Sequence, residues 1–418
     1  MADVQPLRAL HYDQETAGPL QQLVAPPYDV IDPEQREQLA GQSPHNVVRV
    51  DLPQGDDPYA AAAEAFDQWQ ADGAIVRDEA PALWALTQDY TGPDGSSKTR
   101  RGFFARVRVD EYGPGKIRPH ERTHPGPKED RLNLTRATRA NMSPIFSLFS
   151  DPEGHAWAAL QPFTEAEPWG EATDEDGTHN RLWRIDDPDA IAAVVEATKD
   201  AELLIADGHH RYETARVYAD EIGGEGEHRY VLMNLVAMED EGLTVFPTHR
   251  LVKDTTPETQ EALAAALREH FDIEPLDSLE ELPPPSGDGP LTMGYLDAHF
   301  KKPFRLTLKD QSRADDALEG YPDAYRRLDT AVLEALLLKG PLGLTDDDID
   351  HQHGLTYSRT DEEATAMVTD GDVDLAFFLR PSPVRQVQEI AETGVNMPPK
   401  STYFFPKVPT GLLFNPLT

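Results

Sequence analysis

The chain has 418 residues, 39% of them hydrophobic, with 75 acidic against 38 basic residues and a formal net charge of -37. So negative a surface repels polyanions and disfavours general nucleic-acid binding unless a local basic patch exists. The lack of cysteine excludes disulfides, thiolate nucleophiles and cysteine-held zinc. No run of about 18 apolar residues is present to cross a bilayer, and the opening MADVQPLRALHYD lacks the basic and apolar regions of a secretory signal. A cytoplasmic location is therefore expected, with no membrane partner. The acidic residues fall in dispersed clusters, the pattern of a solvated acidic surface such as halophilic proteins carry.

At this length two domains are expected. LVAPPYDVIDPEQREQLAG reads as an extended proline-rich segment followed by a helix that Asp32-Pro33 begins, and DPYAAAAEAFDQWQADG as a second helix ending at Gly73. PALWALTQDY and TRRGFFARVRVDEYG are strand-like runs joined by a turn segment, which predicts a hairpin. The charged loop 115–131, in GKIRPHERTHPGPKEDRLNL, is the most basic stretch of an acidic protein and continues as a helix to about Arg139. Strand NRLWRID, helix DAIAAVVEATK, strand AELLIA and helix YETARVYADEIG follow. The alternation predicts a mixed α/β (α+β) core over 1–275. LDSLEELPPPSGDGP supplies a linker at 276–290, and 291–418 reads as a smaller C-terminal α+β region whose end closes back over the site.

The strongest chemical signal is Asp207-Gly208-His209-His210-Arg211, where an apolar strand runs into the first turn of a helix. Unpaired amide N–H groups and the helix dipole favour an anion there, and Gly208 permits close backbone approach. Gly208, His210 and Arg211 are candidate phosphate contacts, His209 a proton carrier, and Asp207 a cap, a magnesium ligand or an orienting carboxylate. The alternative is an Asp-Gly turn capping an ordinary helix.

The charged loop offers Arg118, Lys128 and Arg131 for phosphate, and His120 and Glu121 for acid–base work. His120-Glu121-Arg122-Thr123-His124 matches the HExxH zinc pattern, but Pro119 before it and Pro125-Gly126-Pro127 after it deny the continuous helix that pattern needs. Tyr28, Asp29, His249, Arg250, Lys400 and Ser401 are candidate substrate-lining residues, set behind a Pro-Pro pair, at a strand end and in the C-terminal aromatic segment MPPKSTYFFPKVPTGL. No Walker phosphate loop, GxGxxG turn, GxSxG elbow or protein-kinase motif set occurs.

PPYDVI, RPHERT with KEDRLNL, NMSPIFSL, ADGHHRYETA, PTHRL and MPPKSTYFFPK together resemble the domain-of-unknown-function 1015 family along nearly the whole chain. The DGHHR segment is also similar to the phosphate-binding loop of the ParB/sulfiredoxin-like fold, which includes ADP-dependent free serine kinases. That resemblance implies a ParB/sulfiredoxin-like core elaborated by extra strands and helices. It implies phosphate contacts at Gly208, His209, His210 and Arg211, Mg2+, ADP or ATP as donor, and a carboxylate that activates serine. Glu121 is the first choice for that carboxylate and Asp29 the second. The implied activity is phosphoryl transfer to a small hydroxylated metabolite, with phosphoserine hydrolysis or non-catalytic nucleotide sensing as alternatives.

Overall fold

The computed structural model describes every residue except Met1, Asp94, Thr123, His124, Ser286 and Asp288, together with the side chains of Pro125, Gly126 and Pro127. The chain is a mixed α/β protein that divides into two compact units, 1–244 with 406–418, and 245–405. The division falls at 244/245 rather than in the 276–290 stretch expected to be a linker. Among the described residues no helix is long and apolar enough to cross a membrane.

The first unit contains strands β1 (Val4–Gln5), β2 (Leu10–Tyr12), β3 (Ile75–Arg77), β4 (Leu83–Thr91), β5 (Ser97–Arg108), β6 (Ile117–Arg118), β7 (Ala140–Asn141), β8 (Ile145–Phe149), β9 (Gly170–Thr173), β10 (His179–Ile185), β11 (Leu203–Asp207) and β12 (Tyr230–Ala237). Its helices are α1 (Gln14–Ala17), α2 (Pro33–Gln42), α3 (Val48–Asp51), α4 (Pro58–Ala71), α5 (Pro125–Thr138), α6 (His155–Leu160), α7 (Pro188–Thr198) and α8 (His209–Ile222). Three of these helices start on an Asp-Pro pair: Asp32, Asp57 and Asp187 each accept a first-turn N–H while proline fills the first helical position. The expected hairpin is β4–β5. The basic helix begins at Pro125, after the HExxH-like segment; His120 to Arg122 are not helical, and Thr123 and His124 lie outside the described residues.

The central sheet runs β6-β11-β8-β12-β5-β4-β10-β9, with β1 also on β5. It is mixed: β6–β11 and β8–β12 are parallel and the other pairs antiparallel. Alternation along the strands sorts the side chains to two faces. Phe103, Ala105, Ile145, Ile205, Met233 and Leu235 pack with Leu160 of α6, Val194 of α7 and Tyr212 of α8 in one apolar core. The in-register partners Gln88 and Arg100, Phe104 and Asn234, and Asn234 and Phe146 occupy the opposite face. The β11–β8 register shifts between Ile205, opposite Ser147, and Asp207, opposite Phe146. This bulge turns Asp207 away from the core face, where Ile205 lies, to the face of Phe146.

In the second unit, Phe271–Pro275, Pro303–Leu308, Thr292–Asp297, Leu375–Phe378, His249–Val252 and Leu355–Ser358 form an antiparallel six-stranded sheet in that order. The stretch 276–290 joins two of its strands, and Leu282 within it is fully buried among Leu251, Leu296 and Phe378. The stretch around AYRRLDTAVLEALLLKG folds as Asp323–Arg326, Asp329–Leu333 and a π-helical turn, Glu334–Leu338.

The last 13 residues are stitched into the first unit. Thr410 and Ala25 exchange backbone hydrogen bonds, as do Phe414 and Leu10, and Asn415–Pro416 pairs with β7. Leu412, Leu413 and Phe414 are fully buried, and the Phe414 ring lies edge-on to Tyr12 and Phe66. Phe414→Ala should lower unfolding free energy by about 3 to 5 kcal/mol, the usual cost of emptying a buried phenylalanine site, as measured by urea denaturation.

Candidate functional site

Asp207 ends β11, Gly208 is the N-cap of α8, and His209 is its first residue. Gly208 sits at φ 95°, ψ 30°, in the left-handed region, and caps the helix without a side chain. A Cβ there would lie 2.9 Å from Arg211 Nε and 3.0 Å from its Cζ. Glycine is thus demanded twice, by the backbone angle and by the guanidinium folded against it.

Arg211 faces inward. Its Nη2 donates to Asp207 Oδ2 at 2.5 Å, and its Nη1 to Ser143 Oγ at 2.9 Å and to the Pro144 carbonyl. The second Asp207 oxygen holds Lys407 Nζ at 2.5 Å, a contact across 200 residues of chain. Lys407 is placed in turn by its carbonyl, which accepts from Gln88 Nε2, and by Thr410, whose hydroxyl meets Ser143 Oγ at 2.7 Å. Burial works to raise the Asp207 pKa, but Lys407 and Arg211 overcome it and hold the carboxyl well below the usual range. With both oxygens engaged by cations, this carboxylate does not fit the magnesium ligand expected from the sequence. Among the described residues no group of three or more His, Asp or Glu is placed to hold a metal.

Parallel pairing of β6 with β11 lays the charged loop against this junction: Leu203 opposes Ile117 and Leu204 opposes Arg118. His120 Nδ1 donates to the Ile205 carbonyl at 2.7 Å, and the His120 backbone N–H donates to His209 Nε2 at 3.3 Å. The two rings meet edge-to-face at 4.7 Å. Both are buried, and burial pushes both below the ordinary histidine value, so they are neutral at pH 7. His209 was expected to reach phosphate or carry a proton; its Nε2 instead anchors the loop. His210 is half-buried on the same turn. Glu121, the candidate base, has Oε1 3.9 Å from His120 Nε2 and a side chain 28% exposed.

The remaining loop cations are largely matched internally. Arg118 pairs with Glu202 at 3.1 Å, and Arg131 pairs with Asp51 at 2.9 Å and Asp130 at 2.5 Å. Lys128 is half-buried, and its carbonyl accepts from Thr214. Arg131 also covers the Tyr28 ring at 4.2 Å, which brings PPYDVI to the same cluster, while Asp29 is exposed. Burial pushes the Tyr28 hydroxyl up to about 12 despite Arg211 and Arg131 nearby. Asp51, Arg131, Ser143, Arg211 and Thr214 line a cavity of about 30 Å³, which is room for about one or two waters.

His249, Arg250, Lys400 and Ser401 belong to the second unit. His249 is fully buried, accepts from the Leu379 N–H and meets Asp361 at 3.0 Å. Arg250 donates to the carbonyls of Thr248, Pro399 and Lys400, and Ser401 donates to the Pro398 carbonyl. From the C-terminal motif, the first-unit site takes Lys407. The sequence signal for it was present in that motif's second lysine, but no local rule separates Lys407 from Lys400.

Two outcomes follow. Gly208→Ala should cost about 1 to 2 kcal/mol for its left-handed backbone and displace Arg211, readable as a lowered urea midpoint and a changed near-ultraviolet dichroism. His120 and His209 take up protons in the unfolded chain but resist them when folded. Their stabilisation is therefore complete above about pH 6.5 and lost as pH falls below it, by up to about 1.4 kcal/mol per pH unit for each. Asp207, also depressed, adds its loss only below about pH 4. Unfolding at pH 7.5 and 5.5 should show the first loss, and His209→Gln should flatten it.

Among solved structures, a conserved hypothetical protein from Pyrococcus furiosus is similar at 16% identity and TM-score 0.36, over 74% of this chain and 93% of that one. A free serine kinase variant in complex with AMP is similar at 14% identity and TM-score 0.37, over 72% and 87%. SbnI with a C-terminal truncation, from Staphylococcus aureus, is similar at 11% identity and TM-score 0.36, over 73% and 84%. No curated protein matches. The family described as "Protein of unknown function (DUF1015)" matches residues 4–331, most of the chain, and the protein belongs to that family.

Proposed function

We propose that this protein is a phosphoryl-transfer enzyme acting on a small hydroxylated metabolite, with free serine the best candidate acceptor and ADP or ATP the donor. The observation that carries the reading is the charge at the strand-to-helix junction. One carboxylate, Asp207, faces two cations, Arg211 and Lys407, and burial holds His120 and His209 below the ordinary histidine value. Around Asp207 itself the cations outnumber the carboxylate two to one, with Glu121 the next carboxylate on the adjoining loop, inside a protein of net charge -37. Positive charge held in place is what stabilises a transferring phosphoryl group. Glu121, 28% exposed and 3.9 Å from His120, is the carboxylate to which this proposal assigns the acceptor's proton. Serine, the nucleotide and magnesium carried by its phosphates belong to this proposal.

Incubation of the purified protein with serine and ADP or ATP should yield phosphoserine. Phosphate release from phosphoserine without nucleotide would favour the phosphatase direction. Nucleotide binding without turnover of serine or phosphoserine would favour a sensor. Glu121→Gln should lower turnover by about 10²-fold or more while nucleotide affinity by calorimetry changes little. Lys407→Ala should weaken nucleotide binding by about 1.5 to 3 kcal/mol, the worth of a charge-assisted contact. Full activity in the first variant and unchanged affinity in the second would remove both residues from the site.

A further inference from the structure

The polar face of the central sheet holds a further cation, which the phosphate chemistry does not use. Arg100 on β5 is 1% exposed and forms no ion pair among the described residues. Its Nε donates to Gln88 Oε1 at 3.0 Å, its Nη2 donates to the same oxygen, and its Nη1 is buried without a hydrogen-bond partner. The guanidinium stacks 4.3 Å from the ring of Phe146 on β8, two strands away. Phe146 is the register partner of both Asp207 and Asn234. Asn234 is fully buried, and among the described residues its amide nitrogen and amide oxygen both lack partners. Gly102 leaves room for this arrangement, since a Cβ there would lie 3.2 Å from Asn234 Oδ1.

Such a group is costly. A buried cation needs an opposite charge, and a buried amide with neither hydrogen bond made loses its hydration without return. Burial pushes Arg100 down to about 9, against the pull of Tyr90, Asp240 and Asp207. Those two carboxylates are already engaged. Asp240 accepts from the N–H groups of Arg101 and Gly242, and Asp207 is held by two cations. Among the described residues the guanidinium thus lacks an anion of its own, a few residues along the same face from the phosphate junction.

We propose that Arg100 and Asn234 form the receptor for the head group of an α-amino-acid substrate, Arg100 Nη1 and Asn234 Nδ2 taking its carboxylate and Asn234 Oδ1 its ammonium. The donor count favours this class. With Nε and Nη2 committed to Gln88, the remaining donors suit a planar monoanion better than the three oxygens of a phosphate. The Asn234 acceptor adds a preference that a plain carboxylic acid does not satisfy. Phe146, which the guanidinium covers, pairs with Asp207, and Gln88 bonds both Arg100 and the Lys407 carbonyl, which sets a short span between head group and reacting hydroxyl, as in a hydroxy amino acid. The inference rests on the phosphoryl-acceptor reading above and names its substrate class.

The test measures binding of L-serine, ethanolamine (the same skeleton without the carboxylate) and pyrophosphate to the full chain by calorimetry, together with thermal unfolding. The wild type should bind serine at least about tenfold tighter than ethanolamine, the discrimination expected of a site whose buried donors would otherwise go unpaired. Arg100→Met should abolish that preference and leave the melting temperature equal or higher, because replacing an unneutralised buried charge by an apolar chain of similar length relieves the fold. Asn234→Asp, nearly isosteric, places an internal carboxylate opposite Phe146, the ring that the guanidinium covers, and should also abolish serine binding. No preference for serine in the wild type, or a preference that survives either substitution, overturns the proposal. A fall in stability in Arg100→Met while Asn234→Asp still binds serine would show a purely structural arginine. Failure of pyrophosphate to bind a wild type that still selects serine would count against the phosphate reading alone.

Discussion

The Asp207 carboxylate, held between Arg211 and Lys407, is the contact on which the arrangement of the first unit depends. Each partner enters from a different part of the chain. A bulge in β11 turns Asp207 off the apolar face, Gly208 folds the first turn of α8 so that Arg211 comes back onto it, and the C-terminal segment delivers Lys407. A buried carboxylate facing two cations is stable as a charge only because both are present. Ser143 and Pro144, which grip Arg211, and Thr410, which meets Ser143, extend the same network into the segment after α5 and into the C-terminus. One electrostatic knot therefore connects the DGHHR turn, the NMSP segment and the terminal strand.

Around that knot the protein reverses its own surface character. The chain as a whole is strongly acidic, yet Arg100, Arg131 and Arg211 are buried or nearly so within the first unit. They differ in what balances them. Among the described residues Arg131 has Asp51 and Asp130, Arg211 has Asp207 together with a hydroxyl and a carbonyl, and Arg100 has only a glutamine oxygen and a phenylalanine face. Matched cations are architecture. An unmatched one is the feature that a fold keeps at a cost, and function is the usual compensation.

The histidines show how position changes the meaning of a residue type. Read along the chain, His209 and His210 look like donors aimed out of a helix start. In the fold, β6 runs beside β11 and covers that start with His120, so His209 accepts from a backbone N–H and both rings become neutral. Their service is to fix the loop that carries Glu121, and the positive charge at the junction comes from side chains instead.

Much was legible from local rules. The Asp-Pro helix starts, the β4–β5 hairpin, the strand-to-helix turn at Asp207-Gly208 and the alternating α/β order are consequences of capping, fixed proline angles and side-chain period, all of which act over a few residues. Charge clustering also marked the loop 115–131 and the DGHHR turn as chemically distinctive, and both meet in the fold. What only tertiary structure decided was pairing: that Lys407 rather than Lys400 reaches Asp207, that Arg118 and Arg131 are matched by Glu202, Asp51 and Asp130, and that Arg100 is buried unmatched. Composition fixes how many charges exist, but their electrostatic meaning depends on distance and burial. Those depend on strand register and on contacts spanning up to hundreds of residues, which no local pattern encodes.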